Sequence, residues 1–493
     1  MKRRIMKYVC LLWIVLTVVG CTSQFSKKTA DTVGHQCRAW SMKSADRYDY
    51  FEYLNADGRI TDLGYDTDGD GNVDLRVSLE AMNTDPQNPH YVILLDGIPY
   101  DLVMKMIEEG HFRLFYPPSR VVGPFPSMTD TAYTELFMPG ELNGFEAMYY
   151  DRDKKVLSDG DTVYLRGENE PWAKKIDYRA SMLLDPIGYL NPDFVFNHEL
   201  SAIEKMIDSH PCGTSIGYSV GTSNMGTRKG EAGLRICLNA VDQLCEKIVY
   251  ERKGRCRITL MADHGHNLKS AKYFSMTSAV KSCGYRPVRK LEGPKDVVVI
   301  EFGLVTNSAM YTDDPDGLAK AILAKYDETE LAIYPMVIEG ERKIVVRSRN
   351  GLAYINKKAN GYTYEKVAGD PLQLDGIIGK LKSMGKVSKT GVIDDKAFFE
   401  GTVDFEYPDA LARIWRGFNG LVKYPADLVV TIRDGWYCGK PGFAKTINVA
   451  STHGSLNRMN TETFVMTTIG PLPKAIRICD VPRAVPDMLN NNK

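Results

Sequence analysis

Two apolar runs in this chain end in groups that can bind a metal. Tyr91-Val92-Ile93-Leu94-Leu95 leads into Asp96-Gly97, and Ile258-Thr259-Leu260-Met261-Ala262 leads into Asp263-His264-Gly265-His266. Two carboxylates and an imidazole brought to one point form a site for a divalent ion, and that donor set suits zinc or manganese. Each piece also has a bland reading as a turn with a capping Asp. A second candidate is Asp66-Thr67-Asp68-Gly69-Asp70-Gly71-Asn72-Val73-Asp74. Oxygen donors at alternate positions, with Gly in sixth place for the sharp turn, are what a calcium loop needs. The twelfth place holds Val77, not a bidentate Glu, so this is no standard EF-hand. A shorter calcium loop at Asp66, Asp68, Asp70, Asn72 and Asp74 and a solvated acidic turn both remain open.

The elements that would carry these groups are legible. A continuous apolar run is expected of a strand covered on both faces. Tyr100 to Glu109 reads as helix, and Gly233 to Glu251 has helical spacing through Leu234, Leu238, Val241, Leu244 and Ile248. Strands alternating with helices predict an α/β fold with a largely parallel central sheet flanked by helices. In such sheets ligands bind beyond the carboxyl ends of the strands, where Asp96 and Asp263 fall. Residues 47–85 alternate aromatic and polar positions with turn signals and predict a small β-rich N-terminal extension. The α/β domain then spans 86–480, with a β-containing insertion around 285–440, and 481–493 is a tail.

Two further pieces complete an ordered set. Pro126-Ser127-Met128-Thr129-Asp130-Thr131 lies 33 residues after Asp96, counted to Thr129, and Thr452-His453-Gly454-Ser455 lies near the C-terminus. The order of strand–Asp-Gly, Pro-Ser-x-Thr, Asp-His-Gly and a late His-Gly resembles the alkaline phosphatase superfamily. It comes nearest to the type I phosphodiesterase/nucleotide pyrophosphatase branch. The resemblance runs from Asp96 to His453 and implies an alkaline phosphatase-like fold. It implies that Asp96, Asp263 and His264 bind one divalent metal, usually zinc, with Thr129 as metal-bound nucleophile. A metal-bound Thr hydroxyl is activated by stabilisation of its alkoxide. The bland readings are a helix N-cap for Thr129 and a backbone-bonded loop histidine for His453.

The chain departs from that branch at its second metal site. Where Asp-x-x-Gly-His is expected, Ser223-Asn224-Met225-Gly226-Thr227 stands, with Ser223 for Asp and Thr227 for His. Hydroxyls are weak zinc ligands, so the second site is degenerate and keeps only His453, as a residual ligand or an acid/base group. Asp185-Pro186-Ile187-Gly188-Tyr189, with His198 beyond it, is a rival match that does not lead directly into the Asp-His-Gly strand. Arg228 and Lys229 offer positive charge near a phosphate, or else a solvated basic turn. Tyr116-Pro117-Pro118-Ser119-Arg120 lacks the Cys or Ser that a sulfatase converts, which excludes that activity.

The chain has 493 residues, 62 Lys+Arg against 62 Asp+Glu, and 44% hydrophobic residues. Disorder throughout is excluded, and zero formal charge argues against nucleic-acid binding. Lys2, Arg3, Arg4 and Lys7 followed by the apolar stretch Tyr8–Val19 read as a signal peptide over 1–20. Val18-Val19-Gly20-Cys21 resembles a bacterial lipobox, which implies cleavage and acylation at Cys21. Residues 21–46 are then lipidated Cys and tether, and the protein is a membrane-anchored lipoprotein facing an extracytoplasmic space. Eight cysteines remain after Cys10 and Cys21, with no CxxC. The leading expectation is a metal-dependent hydrolase of a phosphomonoester or phosphodiester, a small molecule or an envelope component. A non-catalytic relative that keeps the fold and an envelope phosphoryl-group transferase are the alternatives.

Overall fold

The computed structural model of the chain describes residues 31–32, 37–43 and 47–489. The signal peptide, Cys21, part of the tether and residues 490–493 lie outside the described residues. Among the described residues no helix is long and apolar enough to cross a membrane.

Six strands build the central sheet: β1 (His90–Leu95), β2 (Ser119–Val122), β3 (Thr214–Ser219), β4 (Arg257–Ala262), β5 (Glu462–Thr467) and β6 (Ala475–Arg477). Their order is β3-β1-β4-β5-β2-β6. β5 runs antiparallel to both neighbours, and the other neighbouring pairs are parallel. Every residue of β1 and β4 is buried. The two faces of β1 alternate as the pleat requires. Tyr91, Ile93 and Leu95 pack with Leu102, Met106, Phe196, Ile203 and Leu234, whereas Val92 and Leu94 pack with Ala132, Tyr133 and Leu136.

Helices therefore cover both faces. α1 (Tyr100–Glu108), α3 (Pro192–Ser209) and α4 (Gly221–Glu251) lie on one side, and α2 (Thr129–Phe137) lies on the other. This is a mixed α/β architecture, the class that the strand–helix alternation predicts. Burying each large apolar side chain stabilises the layers by about 1.5–3 kcal/mol. α4 begins well before Gly233, where the hydrophobic spacing first shows it. It is interrupted at Gly230, whose φ of 61° and ψ of −144° suit glycine alone.

Register sets the level of the site. Leu95 pairs with both Ser219 and Ala262, so the chain leaves β1, β3 and β4 at one height. Asp96, Val220 and Asp263 are the next residues in each case.

A five-stranded sheet draws its strands from between Asp31 and Ser78, and its Tyr50 and Tyr65 pack against Tyr250 of α4. A nine-stranded sheet draws its strands from between Arg286 and Ile432, with all neighbouring pairs antiparallel except the first. Leu411, Ile414 and Phe418 of the helix Ala410–Phe418 pack in the same apolar cluster as Ile333, Val346 and Val429 of that sheet.

Candidate active site

Asp96 leaves β1 with its N–H donating to Thr222 Oγ1 at 2.8 Å, and Thr222 Oγ1 donates back to Asp96 O at 2.7 Å. Its carboxylate is held from one side only. The Tyr218 hydroxyl donates to Oδ2 at 2.6 Å and the Thr129 hydroxyl reaches the same oxygen at 3.3 Å, while Oδ1 is buried and has no partner. Asp263 repeats the pattern. Its Oδ1 accepts from the N–H of Gly97 at 3.0 Å and of His264 at 2.8 Å, and its buried Oδ2 has none. His264 Nδ1 bonds to Gly265 O at 2.9 Å, which assigns the proton to Nδ1 and a lone pair to Nε2. That Nε2 lies 3.5 Å from Asp96 Oδ1, 3.5 Å from Asp263 Oδ2 and 3.3 Å from Thr129 Oγ1.

Two orphaned carboxylate oxygens and an imidazole lone pair thus meet at one buried point. Ligand atoms from Asp96, Asp263 and His264 all lie within 4.8 Å of one another. A buried carboxylate oxygen without a donor is costly, and a divalent cation satisfies all three atoms at once. The residues fit a metal. Burial, then the Asp263 charge, raises the Asp96 pKa, and burial raises Asp263 to about 7. Burial also lowers His264 to about 4, so its imidazole is neutral, the form that ligates.

Thr129 is the first residue of α2 and does not cap it: the residue before the helix is Met128, and no side chain caps this end. The loop before α2 is fixed from below. Arg413, 2% exposed, donates from Nη2 to Pro124 O at 3.1 Å, Ser127 Oγ at 3.0 Å and Thr461 Oγ1 at 2.6 Å. Its Nη1 donates to Pro408 O at 2.9 Å and Leu456 O at 3.0 Å. No motif in the sequence marks this arginine.

His453 meets the same loop through Nδ1 and Ser127 O, 3.0 Å apart. Its ring stacks on His264, with centroids 3.9 Å apart and planes 19° off parallel. It is therefore a backbone-bonded loop histidine stacked on His264, and it is not among the ligand atoms that converge within 4.8 Å. Burial holds its pKa well below the usual range. His266, to which the sequence assigns no role, is also fully buried. Its Nδ1 bonds to Ser451 Oγ at 2.6 Å and its Nε2 has no partner. A Cβ on Gly97, whose φ is +68°, would sit 2.6 Å from the His266 ring. Glycine is therefore needed there for space as well as for conformation.

The site opens into a cavity of about 160 Å³ whose wall includes Asp96, Thr129, His453, Ser223 and Thr227. The last two reach this cavity, but inside a helical turn of α4 rather than in a loop before it. Asp185, whose motif stands apart in chain order, lines the same cavity from the short helix Asp185–Gly188. Its carboxylate accepts from Tyr164 and, at 3.4 Å, from Asn224 Nδ2. His198 is exposed and stacks on Phe194 instead. Arg228 and Lys229 turn away from the cavity: Arg228 donates to Asn448 O at 2.7 Å and Lys229 pairs with Asp193 at 2.6 Å. Both lie within α4 rather than in a turn, Arg228 half-buried and Lys229 exposed.

The acidic loop of the N-terminal sheet is separate. Asp66, Asp68 and Asp74 bring one oxygen each within 4.8 Å of the others. Asp70 instead accepts from the N–H and side-chain amide of Asn72, at 2.7 and 3.1 Å. Hydrogen bonds from Asn72 and Thr67 respectively hold Asp70 and Asp74 below the usual carboxylate range. The eight described cysteines, from Cys37 to Cys479, are all unpaired thiols.

No protein-family model matches the chain, and no curated protein matches it. Among solved structures it is similar to human ectonucleotide pyrophosphatase/phosphodiesterase 5, at 10% identity and a TM-score of 0.46, over 82% of this chain and 95% of that one. The murine counterpart gives 11% identity and a TM-score of 0.43 over the same shares. An inactive form of the murine protein in complex with AMP gives the same values.

Proposed function

We propose that the protein is a divalent-metal-dependent hydrolase of phosphoesters, with Thr129 as nucleophile and Asp96, Thr129, Asp263 and His264 as metal ligands. The observation that supports this reading is the convergence of Asp96 Oδ1, Asp263 Oδ2 and His264 Nε2 beside the Thr129 hydroxyl. A bound zinc or manganese ion supplies Lewis acidity that favours the Thr129 alkoxide and offsets charge on the phosphoryl oxygens. Thr129 Oγ1 attacks phosphorus as its proton passes to solvent. The Oγ1–P bond forms, the ester O–P bond breaks, and the alcohol departs with a proton from solvent. Water then attacks the phosphothreonine: a new O–P bond forms, the Oγ1–P bond breaks, a proton from the water returns to Oγ1, and phosphate or a phosphomonoester is released. His453, neutral and with Nδ1 engaged by Ser127 O, keeps the Nε2 lone pair and would accept a hydrogen bond from that water, orienting it. The Tyr218 hydroxyl and the loop anchored by Arg413 hold Asp96 and Thr129 in register.

The test is turnover of aryl phosphodiesters and aryl phosphomonoesters by the zinc- or manganese-loaded full chain. Thr129→Ala is expected to remove turnover by a factor of about 10³ or more, since it deletes the attacking oxygen. Hydrolysis that survives this change overturns the mechanism. A non-catalytic binding role is the second reading. It is supported by Ser223 and Thr227, which put no carboxylate or imidazole where a second ion would assist the leaving oxygen.

The sequence of residues 1–21 supports a lipid anchor at Cys21 on an extracytoplasmic membrane face. Cys21→Ala is expected to release the chain from the membrane fraction and abolish labelling by palmitate. Retention of the label overturns that anchor.

A further inference from the structure

Positive charge is concentrated at one edge of the nine-stranded sheet, although the chain as a whole balances Lys+Arg against Asp+Glu. Residues 376–393 carry Lys380, Lys382, Lys386 and Lys389 and no acidic residue. A surface that only needs water interleaves both signs. The helix Asp375–Ser383 buries Leu381, and its Ile377 and Ile378 pack against the core of the sheet. Its lysines are left on the other side, where Lys380 and Lys382 are exposed.

The fold gathers the other lysines to the same edge. After the helix the chain turns back on itself: the N–H of Met384 donates to Lys380 O at 3.1 Å and that of Lys386 to Leu381 O at 2.9 Å. Lys386 O accepts from the N–H of Asp394 at 2.9 Å, and Asp394 pairs with Gly361, itself the strand partner of Lys358. Lys358 and Lys386 thus line one cleft. The acids nearby are already engaged. Glu341 holds Lys358 at 3.2 Å, Asp375 pairs with Lys366, Asp395 pairs with Arg477 at 2.6 Å, and Asp394 accepts from the N–H of Ala397 at 2.8 Å. Lys357, Lys380, Lys382, Lys386 and Lys389 are all exposed, and none forms an ion pair among the described residues.

An uncompensated basic face attracts an anionic partner, and two features of this one suit a lipid surface. The five cations are lysines, point charges on flexible stems, rather than the rigid arginine fork that grips one phosphate in a fixed geometry. Met384 stands in the middle of the run and is 58% exposed. An apolar side chain placed there can enter the headgroup layer while the lysine stems lie along it. A soluble polyanion offers Met384 nothing to enter.

We propose that this edge docks on the surface of a bilayer rich in anionic phospholipid. The docking face goes beyond the hydrolase reading and rests neither on it nor on the anchor at Cys21. Attraction between lysines and headgroups is screened by salt, so the contact is reversible and does not replace that anchor. The full chain carrying Cys21→Ala is sedimented at low salt with vesicles of phosphatidylglycerol and phosphatidylcholine in equal parts, and with vesicles of phosphatidylcholine alone. Partition into the anionic vesicles is expected to be about tenfold higher. Changing Lys380, Lys382, Lys386 and Lys389 together to Gln is expected to cut that preference several-fold. The same change at Lys105, Lys205, Lys253 and Lys281, which are also exposed, is expected to leave most of it. Met384→Gln is expected to weaken vesicle binding about twofold and to leave binding to heparin unmoved. Equal sedimentation with both vesicles, equal losses in the two quadruple variants, or a preference that survives about 0.5 M salt overturns the docking face. Binding to heparin without a preference for anionic vesicles overturns the bilayer as partner and assigns the lysines to a soluble polyanion.

Discussion

Tyr218 illustrates how single groups outside the ligand set shape the site. Its hydroxyl occupies Asp96 Oδ2 at 2.6 Å, which leaves Oδ1 to face His264 and the Asp263 carboxylate. The phenol is fully buried, so its own ionisation is pushed up and it remains a donor. Removing such an outer hydrogen bond from a metal ligand typically costs about 10–100-fold in affinity. Tyr218→Phe is therefore expected to weaken zinc binding about tenfold without unfolding the chain. Competition against a chromophoric chelator measures it, and unchanged affinity would show that Asp96 needs no such orientation. The Ser223 and Thr227 hydroxyls make the opposite point. They sit on the cavity wall, where further acidic groups come from Asp130 of the Thr129 motif, from Asp185 of the rival match, and from Glu146, which belongs to no motif.

At the scale of one element, β1 both delivers Asp96 and stores a pH dependence at its other end. His90 opens the strand, fully buried, with Nε2 2.8 Å from Thr259 Oγ1 on the neighbouring β4. Burial, and then the Arg257 charge, lower its pKa from 6.5 to about 3. As pH falls below about 6.5, the unfolded chain takes a proton that the folded chain refuses. The contribution is therefore fully present above about 6.5 and is lost as pH falls towards 3. At pH 5 the loss amounts to about 2 kcal/mol, from 1.36 kcal/mol per pKa unit. Urea midpoints at pH 7.5 and pH 5 are expected to fall further for the native chain than for His90→Gln. The raised carboxyl groups elsewhere are common to both chains and cancel in the comparison. Equal falls would mean that His90 is hydrated in the folded state.

Across the whole molecule, the helix Ala410–Phe418 couples the nine-stranded sheet to the nucleophile loop. One side packs Leu411, Ile414 and Phe418 with that sheet's core. The other sends the Arg413 guanidinium into a nest of oxygens from Pro124, Ser127, Leu456 and Thr461. Burial lowers the Arg413 pKa to about 9, so it still carries its charge near neutrality. Arg413→Met leaves several buried oxygens without donors, and about 2–4 kcal/mol of stability is expected to go with them. Arg413→Lys keeps the charge but not the planar fork, so kcat is expected to fall more than thermal stability does. Native turnover in Arg413→Lys would show that the loop holds Thr129 without this anchor.

The apolar runs before Asp96 and Asp263 were legible because a strand covered on both faces needs an unbroken apolar sequence, and the periodicity of Leu234 to Ile248 betrayed a helix for the same reason of burial. Their ends told where the polar groups would emerge, so Asp96, Asp263 and His264 could be read together from the chain. Thr129 was readable through the order of four motifs, although only the fold shows it beginning α2 without capping it. Asp185 stands in a match that chain order set aside, His266 follows the Asp-His-Gly motif without a role of its own there, and Arg413 carries no motif signal. Asp185 reaches the cavity from a short helix, His266 depends on the space above Gly97, and Arg413 acts on carbonyls up to 289 residues away in the chain. Local sequence determines which segments are strands and where their charged ends lie, because burial acts on neighbours along the chain. Which orphaned oxygens face one another, and which carboxyl groups surround the cavity, was decided only when distant segments packed.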